Sequence, residues 1–488
     1  MPLNGTLCPI TLKTADQLLI SEIVNFINNV LWGEGQVLIY LLIIAGVWFT
    51  VKLNFIQLRH FTHMFGVMKG SNKSDKAGIS SFQALCTSLS ARVGTGNLAG
   101  VAVAISLGGA GAVFWMWVIA LLGMATGFAE SVLGQLYKVR DDNGEYRGGP
   151  AYYIQQGLNN RWLAITFALF LFLGYGFIFS AVQANTITDA LKFAYDIPTL
   201  HSGLVIIILA ALIVVGGLRA IARFAEWVVP FMAVGYIAVT LFITVMNIDL
   251  VPAMLADIFK SAFGLQEAGA GALGAAFKNG VQRGLYSNEA GSGSVPHAAA
   301  SATPNPNHPV SQGYVQMLGV FIDTMILCTC TAFVILLAGG SSSDQMEGIR
   351  LTQNAMSSHF GGGTEFVAAA ISLFAFTSVV ANYAYGESNL HMFKLDNKIG
   401  RSCYTAGYLA MILWGSMAAL PEVWAAADMA LGLMTVINII AIGMLTPTIV
   451  AISKDYFEKH KSGKTIEYQT GDCEIQGESE KGIWDQNK

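Results

Sequence analysis

The sequence predicts an all-α membrane protein of eleven transmembrane helices, ten of them in two inverted five-helix halves. Three observations predict this. First, 54% of the 488 residues are hydrophobic and only 12% are charged, with a mean hydropathy of +0.54. A soluble domain carries about 25% charged residues. Second, eleven apolar segments run along the chain, most near the ~20 residues a helix needs to cross the hydrocarbon core. Third, two of those segments are interrupted by glycine and polar residues at matching places. The formal net charge of −4 points to no nucleic-acid partner. The six cysteines show no metal spacing, and those in apolar spans read as small packing residues.

The elements follow in order. Residues 1–35 form an amino-terminal segment without a cleavable signal-peptide pattern. Within it, 18–33, "LLISEIVNFINNVLWG", reads as an amphipathic helix lying at the interface. Residues 36–55 form an extra first span. Spans two to six fall near 80–108, 111–138, 162–192, 203–218 and 226–247, and make a first half over 80–247. Spans seven to eleven fall near 267–300, 311–338, 364–393, 402–420 and 423–450, and make a second half over 267–450. The polar tail, 454–488, is expected to be a flexible cytoplasmic segment.

Charge bias sets the orientation. With the amino terminus outside, 20 of the 27 Lys and Arg fall on the inner side and four on the outer side, Lys13, Lys192, Lys260 and Arg350. Arg92, Lys278 and Arg283 lie within spans. The carboxyl terminus is then cytoplasmic, and the protein is expected in a bacterial cytoplasmic (inner) membrane.

The second span carries "VGTGN" at 93–97, and the seventh carries "SNEAGSGS" at 287–294. Each is the first span of its half, and the two start on opposite sides. Glycine-interrupted spans at matching positions of inverted repeats point to a transporter's midplane site. A broken helix frees N–H groups at one half-helix start and carbonyls at the other half-helix end, with partial charges of about +0.5 and −0.5. The N–H end holds a carboxylate, and the carbonyls hold an ammonium group or a sodium ion. Substrate contacts are therefore expected at Gly94, Thr95, Gly96 and Asn97, and at Ser287, Asn288, Ala290, Gly291, Ser292 and Gly293. The alternative is a Gly-x-x-x-Gly packing seam. The accompanying Thr, Asn, Ser and Glu favour a site.

The region 89–131, "LSARVGTGNLAGVAVAISLGGAGAVFWMWVIALLGMATGFAES", resembles the sodium:alanine symporter family, the alanine or glycine:cation symporters. "GGPAYYIQQGL" at 148–158 and "GLYSNEAGSGSVPHAAA" at 284–300 are similar to further motifs of that family. The resemblance spans about 36–455 and implies a LeuT-type fold of 5+5 inverted repeats with one extra amino-terminal helix. It implies cotransport of a small neutral amino acid, alanine or glycine, with Na⁺. It also implies that the N–H groups of Thr95 and Gly96 bind the substrate carboxylate. The carbonyls of Ser90, Val93 and Phe374 and the hydroxyls of Thr377 and Ser378 would hold sodium. Arg92 departs from the pattern of some relatives, and its charge disfavours a second ion, so one Na⁺ is expected.

Other polar residues are read more plainly. Glu289 is read as pairing with Arg92, Arg283 or Lys278, with proton coupling as the alternative. Asp323 hydrogen-bonds its neighbours or takes part in coupling. Glu130 and Glu387 are read as interfacial anchors at cytoplasmic ends, Gln83 as a helix-contact residue, and Gln183 and Asn185 as possible pocket residues. Phe114, Trp115 and Trp117 read as an interfacial belt. His297 and His308 are expected on a solvated inner loop. An enzyme is not expected, because the eight histidines are scattered and no nucleotide loop is present. The second functional reading is a proton-coupled small amino-acid carrier using Asp323 or Glu289. The expected partners are a small neutral amino acid and the lipid bilayer.

Overall fold

The computed structural model describes residues 15–69, 71, 73–265, 269–340 and 348–485. Residues 1–14 of the amino-terminal segment, 267 and 268 of the seventh span, and the last three residues of the tail lie outside the described residues. The described residues are mainly helical, with a short hairpin that pairs Val139–Arg140 with Tyr146–Arg147. Lipid leaves backbone polar groups no water to bond, so helices satisfy them within the segment.

Among the described residues, six helices are long and apolar enough to cross a membrane. They are Gly111–Leu136, Arg161–Tyr195, Gly217–Met246, Pro309–Leu337, Gly363–Leu390 and Leu420–Met444. Three shorter apolar helices are Val37–Lys52, Gly96–Gly108 and Thr199–Val214. The remaining segments that the hydropathy pattern marks are interrupted or more polar. Ser81–Arg92 leads into the first break, and Gly269–Asn288 leads into the second. Lys398–Met417 starts with Lys398 and Arg401.

The helix Gly111–Leu136 sits at the centre, against both broken spans. Gly280 and Gly284 give it close approach. A Cβ at Gly280 would lie 2.5 Å from the Ala112 carbonyl oxygen, and one at Gly284 would lie 2.4 Å from Ile119 Cγ2. This is the small-xxx-small seam that lets membrane helices touch along their backbones. The seam expected as an alternative to a site therefore exists, but its last glycine, Gly284, comes three residues before the polar break rather than in it.

The amino-terminal helix Ala15–Leu31 docks on the start of Leu420–Met444. Asn28 Nδ2 donates to the Ala425 carbonyl at 2.8 Å, and Trp32 Nε1 donates to the Asp428 carbonyl at 3.0 Å. Trp115 and Trp117 do not form a simple interfacial belt. Trp115 Nε1 donates to the Ala262 carbonyl and Trp117 Nε1 to Thr329 Oγ1, so both rings are held by protein.

Two further expectations are corrected. His297 and His308 are buried, at 3% and 0% exposure. His297 Nδ1 lies 3.1 Å from the Ser294 carbonyl, and His308 Nε2 lies 3.1 Å from Asp455 Oδ2. His297 lies in the short helix Val295–Ala300 and His308 caps the start of the span Pro309–Leu337, so the loop expected to be solvated is covered at both residues. The tail is not loose either. Thr446–Lys461 is a helix, and the chain beyond it packs on the body through Tyr468 and Trp484, which are 1% and 3% exposed. Trp484 Nε1 donates to the Leu136 carbonyl at 3.0 Å, and Tyr468 N donates to the Asn307 carbonyl at 2.9 Å. The two aromatic rings bury a large apolar area each, and Ile466, Ile475 and Ile483 pack beside them on the core.

Trp484→Ala removes about 3 kcal/mol of burial from the last apolar contacts of the tail, next to Ile483. Tryptic cleavage at Lys481 should accelerate at least about tenfold while the thermal midpoint of the full chain changes little. Equal cleavage rates would show that the ring does not anchor the tail.

Candidate functional site

The two breaks meet in the middle of the bundle. In the second span the helix ends at Arg92, and the chain resumes through a wide turn at Gly96–Gly100 before Val101–Gly108. In the seventh span, Gly269–Asn288 stops and Val295–Ala300 begins after a turn. That turn takes positive φ at Glu289 (56°), Gly291 (93°) and Gly293 (86°). Glycine adopts such angles without strain; Glu289 does so at some cost. Asn97 Nδ2 joins the breaks, donating to Ser287 Oγ at 3.2 Å and to Asp323 Oδ1 at 2.7 Å.

Around the first break, five oxygens converge. Ser378 Oγ lies 2.9 Å from the Ser90 carbonyl, 3.4 Å from the Val93 carbonyl and 3.2 Å from the Phe374 carbonyl. Thr377 Oγ1 lies 2.8 Å from the Phe374 carbonyl and 3.5 Å from the Ser90 carbonyl. Two hydroxyl protons face three carbonyls, so lone pairs are in excess. A cluster of neutral oxygens with spare lone pairs suits a hard cation. Gly94 is what allows the approach: a Cβ there would lie 2.4 Å from Ser378 Oγ and 2.7 Å from Gln183 Oε1.

The donor end of the break is occupied by a side chain. Thr95 N–H donates to Gln183 Oε1 at 2.9 Å, and Thr95 Oγ1 donates to the same oxygen at 2.7 Å. Gly94 N–H donates to Asn97 Oδ1 at 3.1 Å. The carboxamide oxygen of Gln183 thus sits where a carboxylate oxygen was expected.

Beside it lies a small cavity bordered by Arg92, Gly96, Tyr175, Gln183, Glu289 and Asn382, with Phe179, Tyr286 and Leu431 as apolar walls. Its space admits the centre of a water-sized sphere over about 10 Å³, room for roughly one water molecule. Arg92 and Glu289 are 2% and 7% exposed. Arg92 reaches the carbonyl and side-chain oxygen of Gln316, both at 3.4 Å. Glu289 Oε2 accepts from Ser294 Oγ at 2.6 Å. Among the described residues, neither charge has an ionic partner within 4.0 Å, and Arg283 pairs with Asp428 instead, at 2.6 Å. The expected ion pair at Glu289 is not formed.

The second break is held differently from the expectation. Glu130 is fully buried, not an interfacial anchor. Its Oε1 accepts from Gly291 N–H at 3.0 Å, and its Oε2 accepts from Gly293 N–H at 3.2 Å and from Asn438 Nδ2 at 2.7 Å. Gly291 and Gly293 therefore give their N–H groups to a protein carboxylate rather than to the cavity. Ser292 Oγ donates to the Glu289 carbonyl, and Asn288 Oδ1 accepts from Ala290 N–H. Of the ten expected substrate residues, Gly96 alone borders the cavity. The signal for Glu130 was a carboxylate within an apolar span, which needs a partner there; for Tyr175, Phe179 and Asn382 no such signal exists.

Asp323 accepts from Asn97, from Ser287 Oγ at 2.7 Å and from Thr324 Oγ1 at 2.8 Å. Asn185 binds the Gly415 and Ala418 carbonyls at 2.8 Å and is structural. Gln83 caps its own helix with Ser80 and donates to Glu226 Oε2 at 2.9 Å. Glu387 pairs with Arg401 at 3.4 Å, in keeping with an anchor.

The model of the sodium:alanine symporter family matches residues 17–470. The chain belongs to the sodium:alanine symporter family. It is 48% identical over 445 residues to the uncharacterized transporter YaaJ of Escherichia coli K12, covering 90% of this chain and 93% of that one. It is 45% identical over 450 residues to the probable sodium/glutamine symporter GlnT of Bacillus subtilis, covering 92% and 93%. It is 38% identical over 452 residues to the sodium/alanine symporter AgcS of Methanococcus maripaludis, covering 90% and 98%. Among solved structures, MhsT in complex with L-phenylalanine matches with a TM-score of 0.57 at 13% identity, over 78% of this chain and 93% of that one. That likeness is one of fold, and the fold is LeuT-like. As a member of this family the chain is a multi-pass membrane transporter and amino-acid symporter, not an enzyme.

Two outcomes follow from the geometry. Glu130→Ala leaves two peptide N–H groups without an acceptor and takes one of the two acceptors of Asn438 Nδ2, which keeps the Gly291 carbonyl; at about 1–3 kcal/mol for each buried orphan, the thermal midpoint should fall markedly, and Glu130→Gln should recover part of it. Gly94→Ala should abolish uptake while the protein still folds, since its Cβ displaces Ser378 and Gln183 together. Uptake and thermal melts on the same preparations check both.

Proposed function

We propose that this symporter imports a small neutral amino acid, alanine or glycine, together with one Na⁺. The fold would be two inverted five-helix repeats behind one extra amino-terminal helix, eleven spans in all. The amino terminus would be outside and the carboxyl terminus in the cytoplasm, in a bacterial inner membrane. The single observation that carries the ion is the convergence of the Ser90, Val93 and Phe374 carbonyls on the Thr377 and Ser378 hydroxyls.

The substrate reading rests on the cavity. Arg92 and Glu289 border it with no direct ion-pair contact within 4.0 Å among the described residues, and buried charges need partners. A zwitterion supplies both at once, with its carboxylate toward Thr95 and Gly96 and its ammonium toward Glu289. Gln183 would yield its place on Thr95 to the entering carboxylate. The space beside Gln183 has room for about one water, so it must widen as Gln183 moves, and the tight aromatic walls favour a small side chain. Alternating access around this fixed midplane site would then carry substrate and ion together.

The second reading is a proton-coupled carrier using Asp323 or Glu289; Asp323 accepts from Asn97, Ser287 and Thr324, and Glu289 from Ser294.

Radiolabelled alanine and glycine should accumulate in proteoliposomes under an inward sodium gradient and stop when choline replaces sodium at fixed pH. Accumulation that persists in choline would sink the sodium assignment in favour of proton coupling. Thr377→Ala with Ser378→Ala should lower apparent sodium affinity by about tenfold or more, the loss of two charge-directed oxygen contacts, without changing the thermal midpoint in proportion.

A further inference from the structure

We propose that a basic cavity between the inner ends of the helices Arg161–Tyr195 and Gly363–Leu390 binds the phosphate headgroup of an anionic membrane lipid. The cavity is about 370 Å³. Arg140, Arg161 and Lys394 line it, against one carboxylate, Glu480, contributed by the tail. His391, also in its wall, is engaged by Asp396 at 2.9 Å.

Several cations on this face are taken up in ion pairs. Arg147 binds Asp141 at 3.0 Å, Arg219 binds Glu145 at 3.2 Å, and Lys459 binds Asp455 and Asp472 at 2.7 and 2.6 Å. Arg140, Arg161 and Lys394 have no carboxylate within 4.0 Å among the described residues; Arg140 only leans on the Tyr146 ring, at 5.7 Å. Lys394 also keeps a left-handed backbone, φ 58°, a conformation few side chains adopt. Three cations without a carboxylate partner within 4.0 Å thus share one concavity.

Its depth matches the headgroup layer. Trp162, next to Arg161, is 83% exposed, and Ile399, five residues beyond Lys394, is 77% exposed. Exposed tryptophan marks the membrane–water interface, and the apolar side chains offer acyl chains a place to lie. The excess of Lys and Arg on this face puts it on the cytoplasmic leaflet, where anionic lipids attract basic segments. Pockets of this kind between transmembrane helices hold lipid headgroups. Inorganic phosphate shares the chemistry but would gain nothing from the apolar rim.

The test is native mass spectrometry of the full chain in neutral detergent, titrated with short-chain phosphatidylglycerol, phosphatidylcholine or glycerol phosphate. One more phosphatidylglycerol than phosphatidylcholine should be retained. Arg140→Gln, Arg161→Gln and Lys394→Gln together should weaken that binding about a hundredfold, at roughly fivefold per cation near an anionic surface. Arg219→Gln, at a cation already paired, should leave it unchanged, and an unaltered thermal midpoint shows that the triple variant folds. Equal retention by wild type and triple variant overturns the proposal, as does equal binding of phosphatidylcholine. Glycerol phosphate binding as tightly as the lipid overturns the lipid assignment. Since the readout is binding in the absence of amino acid and gradient, its failure would leave the transport reading untouched.

Discussion

The structure depends on how a broken helix can exist away from water. Each interruption strips backbone groups of their helical partners, and in lipid an unpaired peptide group costs several kcal/mol. Glu130 meets that cost at the second break, taking the N–H groups of Gly291 and Gly293 on its two oxygens. At the first break Gln183 and Asn97 do the same for Thr95 and Gly94. The two solutions differ in kind. A carboxylate held also by Asn438 is a fixed strut, whereas a lone carboxamide oxygen on Thr95 is an acceptor that a better acceptor can replace. The first break is therefore the exchangeable one.

That asymmetry organises what surrounds it. The helix Gly111–Leu136 carries Glu130 and the close glycine seam against Gly269–Asn288, so the second break is braced by a rigid neighbour on both counts. The first break instead meets Gly363–Leu390, through hydroxyls and carbonyls with more lone pairs than protons. An element bonded by spare acceptors responds to a cation in a way that an element bonded by a satisfied carboxylate does not.

Much of this was legible in the residues. The breaks at 93–97 and 287–294 stand out because glycine and polar side chains are expensive in lipid. The Thr377–Ser378 pair was legible only through the family resemblance, and the structure places it against the second span. What was not legible is where each carboxylate points. Glu130 read as an anchor because distance to a span's end was the only coordinate the sequence offered. His297, His308 and the tail read as solvated because polarity along the chain does not reveal what packs above it. Tyr468 and Trp484, with Ile466, Ile475 and Ile483, are scattered through a long polar stretch, a signal too sparse to outweigh composition.

The sequence by itself determined that the chain is helical, lives in a membrane and interrupts two of its helices, because those properties follow from hydropathy and glycine placement along one dimension. Only the tertiary structure decided which donors remain exchangeable. Glu130 and Gly291 are 161 residues apart in the chain, as are many of the groups that meet here. Whether a peptide N–H is occupied by a strut or open to a ligand is fixed by what lies across from it, and no local pattern encodes that.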